Sequence, residues 1–213
     1  MKFYIISPPK ENLNFSPKNL DLISEIIPIE FFQFRPKHRF LEKKLDFVKK
    51  YYYEIKQICL KKKIKMIIND DFEIAKKFVF DGIHLGQNDR KCQDAKKEFG
   101  ASYLVGISCS NSMDFYHKAK KNGADYVAFG PAFKSKNKKK QIINIKNLIE
   151  QRNKISLPFT LIGGINHKNV CKLKILKPNN VAIIDSMWSF ECGPIESARL
   201  YKKLIDKDKS YEN

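Results

Sequence analysis

The stretches Lys65-Met66-Ile67-Ile68-Asn69-Asp70 and Gly82-Ile83-His84-Leu85-Gly86-Gln87-Asn88-Asp89 flank a helix-length segment at 72–79. Each opens on a short apolar run without polar alternation and stops at Asn, Gly or Asp. A strand covered on both faces, as in a parallel sheet, has this composition. The same rhythm extends in both directions. Further strands are expected at Phe3–Ile6, Glu30–Phe34, Tyr103–Ile107, Tyr126–Phe129, Phe159–Ile162 and Val181–Ile184. Helical segments are expected near 18–27, 41–59, 90–99, 111–122, 142–153, 167–176 and 194–205. The clearest carries Leu41, Leu45, Val48, Tyr52, Ile55 and Cys59 at three- and four-residue steps, with lysines opposite. Gly100 and Gly123 sit where helices would end.

Eight strands alternating with eight helices is the count that closes a (β/α)8 TIM barrel, an α/β fold. No linker or composition shift divides the chain, so one domain is expected over residues 1–205, with a charged tail at 206–213. An open doubly wound sheet has the same periodicity and is the alternative.

Composition narrows the function classes. Hydrophobic residues at 43% and charged residues at 30% describe a globular protein. Of 41 basic residues only five are Arg, and the lysines fall mostly on outer helix faces. That pattern is a solvated coat, not the Arg- and aromatic-rich surface of a nucleic-acid reader. Its field still favours small anions such as phosphates. Five cysteines without CxxC spacing argue against a disulfide framework or a zinc site. No apolar run has the length to span a membrane. The first residues run straight into a strand, so a cytoplasmic protein is expected, with no membrane or nucleic-acid partner, whether single or as a homo-oligomer.

In a TIM barrel the chemistry sits beyond the strand C-termini. Those positions hold Gln33, Arg35 and Lys37, then Asn69, Asp70 and Asp71, then Gln87 and Asp89, then Ser108. Gly130, Pro131 and a lysine-rich loop carrying Ser135, Asn137 and Lys138 follow strand six. Gly163 and Gly164 follow strand seven, and Ile184, Asp185 and Ser186 strand eight. Asp70 and Asp89, on neighbouring strands, suit Mg²⁺, which takes one or two carboxylates and completes its shell with water and phosphate oxygens. Arg35, Lys37 and Lys138 would face the same phosphates. Gly163-Gly164 would offer N–H groups to a second anion, where barrels commonly hold a phosphate. Each element also has a plain structural role open to it. Asp70 or Asp89 could cap a helix, the glycines could serve a tight turn, and His84 could be a packed, hydrogen-bonded histidine.

Together the motifs resemble thiamine phosphate synthases. Gln33-Phe34-Arg35-Pro36-Lys37 resembles their Q-x-R-x-K, Ile67-Ile68-Asn69-Asp70 their I-N-D, and Gly82 to Asp89 their G-V-H-L-G-Q-x-D. Gly106-Ile107-Ser108, Ala124-Asp125-Tyr126-Val127-Ala128-Phe129-Gly130-Pro131 and Ile162-Gly163-Gly164-Ile165 continue the order, so the match covers residues 30–187. The resemblance implies Mg²⁺-dependent condensation of hydroxymethylpyrimidine pyrophosphate with thiazole phosphate, giving thiamine phosphate and pyrophosphate. It implies Asp70 and Asp89 as metal ligands and Arg35, Lys37 and Lys138 on the leaving pyrophosphate. Gln33 and Asn69 would orient pyrimidine or pyrophosphate, and Ser108 would contact pyrophosphate. Gly163, Gly164 and the turn Ile184-Asp185-Ser186 would hold the thiazole phosphate.

Two departures stand out. The family's T-x-T-K is here Ser135-Lys136-Asn137-Lys138, and Asp185 occupies the usual serine position after strand eight. Either Asp185 turns away and Ser186 substitutes, or that subsite has changed. A thiazole tautomerase on the same fold places a histidine where this chain has Ser110, which favours the synthase. A tautomerase-like relative or a non-catalytic paralogue that binds thiazole or thiamine phosphate is the alternative.

Overall fold

The structure, a computed structural model, describes residues 1–134 and 142–206. Eight parallel strands close a barrel in chain order: β1 (Lys2–Ile6), β2 (Ile29–Phe34), β3 (Lys65–Asn69), β4 (Gly82–Leu85), β5 (Leu104–Ser110), β6 (Tyr126–Phe129), β7 (Phe159–Ile162) and β8 (Asn180–Ile183). β8 pairs back onto β1 from Lys2↔Asn180 to Ile5↔Ile183. That pairing excludes the open sheet. The helices are α1 (Pro17–Ile26), α2 (Leu41–Lys62), α3 (Phe72–Lys77), α4 (Cys92–Phe99), α5 (Met113–Lys121), α6 (Ile145–Glu150), α7 (Asp185–Trp188) and α8 (Gly193–Asp206).

One expected helix differs. The crossover between β7 and β8 is a 3-10 helix, Val170–Leu176, burying Val170, Leu173 and Leu176. Those residues recur at strict three-residue steps, which is the 3-10 period and not the α-helical one. The four-residue α7 directly after β8 was not anticipated. It tucks Met187 and Trp188 into the core, and the Trp188 indole donates to Ile6 O at 2.7 Å.

Barrel closure separates two apolar regions. The larger lies between strands and helices; the smaller fills the barrel with Tyr4, Ile6, Ile67, Tyr126 and Ala182. The interior has room for the Tyr126 ring because its neighbour on β5 is Gly106. A Cβ there would lie 2.1 Å from Tyr126 Cζ.

At the opposite, N-terminal rim the chain repeats one device three times. The residue before β4, β6 and β8 is Asp81, Asp125 or Asn179. Its side-chain oxygen accepts a strand N–H from the preceding neighbour: Met66 at 2.9 Å, Val105 at 2.7 Å and Phe159 at 3.0 Å. Asp125 Oδ2 also takes Lys96 Nζ at 2.7 Å. Asp125→Ala would leave the N–H of fully buried Val105 without its acceptor. We expect a loss of about 1–3 kcal/mol, read as a lower urea midpoint with unchanged slope.

Candidate active site

The C-terminal mouth is assembled by short, specific turns. After β3, three residues each take one task. Asn69 ends the strand, and Asp70 adopts φ +60° while donating its N–H to His84 O at 2.9 Å. Asp71, not Asp70, caps α3 by accepting from Ile74 N at 3.3 Å. The left-handed turn is tolerable for Asp and leaves its carboxylate clear of the helix. After β4, Gly86 donates its N–H to Asp89 Oδ2 at 2.6 Å. A Cβ on Gly86 would sit 2.9 Å from that oxygen, so glycine lets the carboxylate fold back over the turn. Asp89 therefore caps no helix; α4 starts at Cys92.

These turns bring Asp70 and Asp89 into side-chain contact and Lys37 Nζ to 2.8 Å from Asp70 Oδ2. Burial works to raise the Asp70 carboxyl, but Lys37 outweighs it and holds the group below its ordinary value. Asp89 moves the other way: burial and the neighbouring Asp70 charge outweigh the Gly86 N–H and raise it. Two adjacent carboxylates whose affinities for a proton are driven apart form a site short of positive charge. Arg35 is half-buried beside them. Burial lowers its pKa, while Asp70 and Asp185 act against that; a guanidinium remains charged throughout.

Buried Ser7 fixes the β2 turn to β1. Its Oγ accepts from Arg35 N at 2.9 Å and donates to Pro8 O at 3.2 Å, and its N–H donates to Gln33 O at 2.8 Å. Lys37 N–H in turn donates to Pro9 O at 2.8 Å.

Inside the barrel a hydrogen-bonded relay crosses from β2 to β5. Gln33 Nε2 donates to Tyr4 OH at 2.7 Å, and Tyr4 OH lies 2.9 Å from Tyr126 OH. Tyr126 OH is 3.2 Å from His84 Nδ1, and His84 Nε2 is 2.9 Å from Ser108 Oγ. Within the relay, only one arrangement gives every buried proton an acceptor. Tyr4 donates to Tyr126, Tyr126 donates to Nδ1, and Nε2–H donates to Ser108. Burial pushes the His84 pKa down to about 4, so the ring is neutral, as this arrangement requires. The hydroxyl proton of Ser108 is then left for the mouth, as is the Gln33 carbonyl. His84 is indeed a bonded histidine, but its two bonds carry the relay that joins Gln33 to Ser108, two candidate site residues. Sequence reading missed Tyr4, Tyr126 and Ser7. Their signal was parity: Tyr4 shares a strand face with Ile6, and Tyr126 with Ala128.

The remaining candidates sit on the β7 and β8 turns. Gly163 and Gly164 have φ of +98° and +65°. Added Cβ atoms would meet Pro131 Cβ at 2.6 Å and Phe133 O at 2.5 Å, so the pair lets the segment after β6 lie directly on the β7 turn. Half-buried Ile184 packs on the interior cluster. Asp185 is exposed, and its charge reaches Arg35. The Ser186 hydroxyl is engaged elsewhere, donating to Ile165 O at 3.0 Å and bonded to Tyr201 OH at 2.8 Å. Ser135, Asn137 and Lys138 lie outside the described residues. Among the described residues no group of three His, Cys, Asp or Glu could hold a metal, and no helix is long and apolar enough to cross a membrane.

The chain is similar to known proteins along most of its length. The family profile described as thiamine monophosphate synthase matches residues 3–187. A thiamine-phosphate synthase of Pelagibacter ubique is 39% identical over 93% of this chain and 95% of its own length. One from Prochlorococcus marinus subsp. pastoris is 33% identical over 99% of this chain, which spans 56% of that longer protein. Among solved structures, thiamine phosphate pyrophosphorylase from Pyrococcus furiosus superposes with a TM-score of 0.79 at 21% identity, covering 97% of this chain and 96% of that one; that likeness speaks for the fold. A profile that spans nearly every strand, together with a relative this similar along almost its whole length, places the chain in the thiamine monophosphate synthase family.

Proposed function

We propose that the chain, through its barrel at residues 1–205, condenses hydroxymethylpyrimidine pyrophosphate with thiazole phosphate, releasing pyrophosphate and forming thiamine phosphate. The observation that carries this reading is the contact of Asp70 with Asp89, with Lys37 at 2.8 Å and Arg35 alongside. Two hard carboxylate oxygen donors, Asp70 with its pKa lowered by Lys37 and Asp89 with its pKa raised by burial and Asp70, fit Mg²⁺ with the remaining positions left to water and phosphate oxygens. Asp70 and Asp89 would hold that ion, which when bound supplies neutralising charge to the pyrophosphate.

The other groups act on the substrates directly. As the methylene C–O bond breaks, its electron pair leaves with pyrophosphate. Arg35 and Lys37 then lie where that negative charge grows, with Lys138 assigned the same task. The thiazole nitrogen lone pair forms the new C–N bond. The relay prepares the other partner: it sets Ser108 as a donor and Gln33 Oε1 as an acceptor. That pattern fits a ring bearing an amino group beside a ring nitrogen. Asn69 sits at the end of β3 between the two. Ser135, Asn137, Gly163, Gly164 and Ile184 complete the substrate-binding set on the β6 to β8 side, with Asp185 and Ser186 assigned to it through their backbone N–H groups, since the Ser186 hydroxyl is taken by Ile165 and Tyr201. Five free cysteines, three of them buried, suit a reducing cytoplasm.

Pyrophosphate release should require both precursors and stop when EDTA removes the divalent ion; release independent of the thiazole would overturn the reading. Tyr126→Phe breaks the relay between Tyr4 and His84 without changing ring volume. We expect kcat/KM for the pyrimidine substrate to fall about tenfold, with the same melting temperature within a few degrees.

A further inference from the structure

A second polar cluster lies behind the mouth, between the β7 turn, α7 and α8. His167 Nε2 is 3.0 Å from Ser197 Oγ and 3.1 Å from Ser197 O. Ser197 Oγ donates to Ser186 O at 2.6 Å. Ser186 Oγ donates to Ile165 O at 3.0 Å and lies 2.8 Å from Tyr201 OH. The protons can be assigned. Ser197 gives its proton to Ser186 O, so its Oγ accepts from His167, whose Nε2 carries the hydrogen. Ser186 gives its proton to Ile165 O, so Tyr201 donates to Ser186. Ser197 and Tyr201 are fully buried. The His167 ring packs 4.2 Å from the Tyr201 ring and 4.9 Å from Phe190.

The cluster thus ties three elements that the barrel strands alone would leave independent. Ile165 and His167 belong to the β7 turn, Ser186 to α7 after β8, and Ser197 and Tyr201 to α8. The β7 turn is also closed on itself, with Asn169 Nδ2 donating to Gly164 O at 2.8 Å and Asn166 N–H to Asn169 Oδ1 at 2.8 Å. Two consecutive carbonyls, Gly164 and Ile165, are thereby held by side chains. Barrels of this kind commonly bind a phosphate between these two turns. A phosphate bound by groups from both turns depends on their separation, and a misplacement of about 1 Å is costly.

We propose that His167, Ser197 and Tyr201 form a clamp that fixes the β7 and β8 turns at one spacing and so sets the affinity for the phosphate-bearing thiazole acceptor. They are positioning residues, acting through the backbone of Ile165 and through Ser186. The consequence for the acceptor rests on the function proposed above; the clamp itself does not.

Tyr201→Phe keeps the ring and removes the donor to Ser186. The clamp predicts a rise of about fivefold in KM for thiazole phosphate, with kcat and the KM for the pyrimidine pyrophosphate unchanged. Ser197→Ala should do the same, and His167→Gln, whose amide can still donate to Ser197, should keep a near-normal KM. Amide hydrogen exchange supplies the readout that needs no turnover. In Tyr201→Phe, exchange in 163–167 and 184–188 should quicken about tenfold while the turns after β2 and β3 stay as they were. Unchanged exchange in those segments overturns the clamp, as does an equal rise in both KM values with a lowered melting temperature. Faster exchange with an unmoved acceptor KM overturns its role in acceptor affinity. A wild type without turnover would count against the proposed reaction, while the exchange data still decide the clamp.

Discussion

Asp89→Asn is expected to lower turnover by at least about a thousandfold and, in EDTA at neutral pH, to raise the melting temperature. Both outcomes follow from one feature. The Asp89 carboxyl has its pKa raised by burial and by the Asp70 charge, so the folded protein holds the proton more tightly than the unfolded chain does. The sign is then fixed: ionising Asp89 costs stability once pH climbs past the ordinary carboxylate value and through the raised one. An amide removes that cost. Its oxygen can still accept from Gly86 N–H, and its NH₂ can donate to Asp70 where two carboxylates would repel. The stability gain should shrink as pH falls into the range where wild-type Asp89 is itself protonated. Melting curves with EDTA from acid to neutral pH check this. A variant that is equally active, or less stable than wild type at neutral pH without metal, would be inconsistent with a strained acid pair.

Gly106→Ala is expected to damage the fold severely. The new methyl would fall 2.1 Å from Tyr126 Cζ, 2.4 Å from its hydroxyl oxygen and 2.5 Å from Cε1. The Tyr126 ring cannot simply withdraw. It stacks on Phe31 at 5.0 Å, and its hydroxyl is held between Tyr4 and His84. Overpacking of this kind costs about 3 kcal/mol, or roughly 6–12 °C in melting temperature for a chain of this size. Adding Tyr126→Leu should recover much of the stability, because the far end of the ring is gone. It should not recover activity, because the relay to Ser108 is cut. Thermal melts and initial rates on the pair separate the two effects. A single variant with wild-type stability would mean that the interior tolerates a methyl the geometry does not.

The strands were legible in the sequence because each is short and apolar, and several stop at Asn, Gly or Ser. Gly82–Leu85, Tyr126–Phe129 and Phe159–Ile162 occur with the bounds expected. Closure was not readable from periodicity, since pairing of β1 with β8 leaves no local pattern. The crossover at Val170–Leu176 did carry its period of three, and an α-helix was expected because three- and four-residue steps overlap in so short a segment. At the site, the charged groups Arg35, Lys37, Asp70 and Asp89 were picked out as residues just beyond strand ends, although Asp70 and Asp89 each had a helix-capping role open to them that the turns exclude. Tyr4 and Tyr126 were not. A tyrosine inside a strand reads as core until the barrel sets its hydroxyl against another. Asp185 was legible as a departure from the family pattern, while the reach of its charge to Arg35 needed the three-dimensional arrangement of β8 and β2. The engagement of Ser186 with Tyr201 likewise depends on α8 returning behind α7.

The proposed reaction needs the paired carboxylates of residues 70 and 89 to hold a divalent cation together with pyrophosphate. Mn²⁺, a paramagnetic stand-in for Mg²⁺, allows its direct measurement by electron paramagnetic resonance in the presence of pyrophosphate. One bound ion is expected in the wild type, with a loss of at least about tenfold in affinity in Asp70→Asn/Asp89→Asn. Equal binding by the two proteins would contradict it.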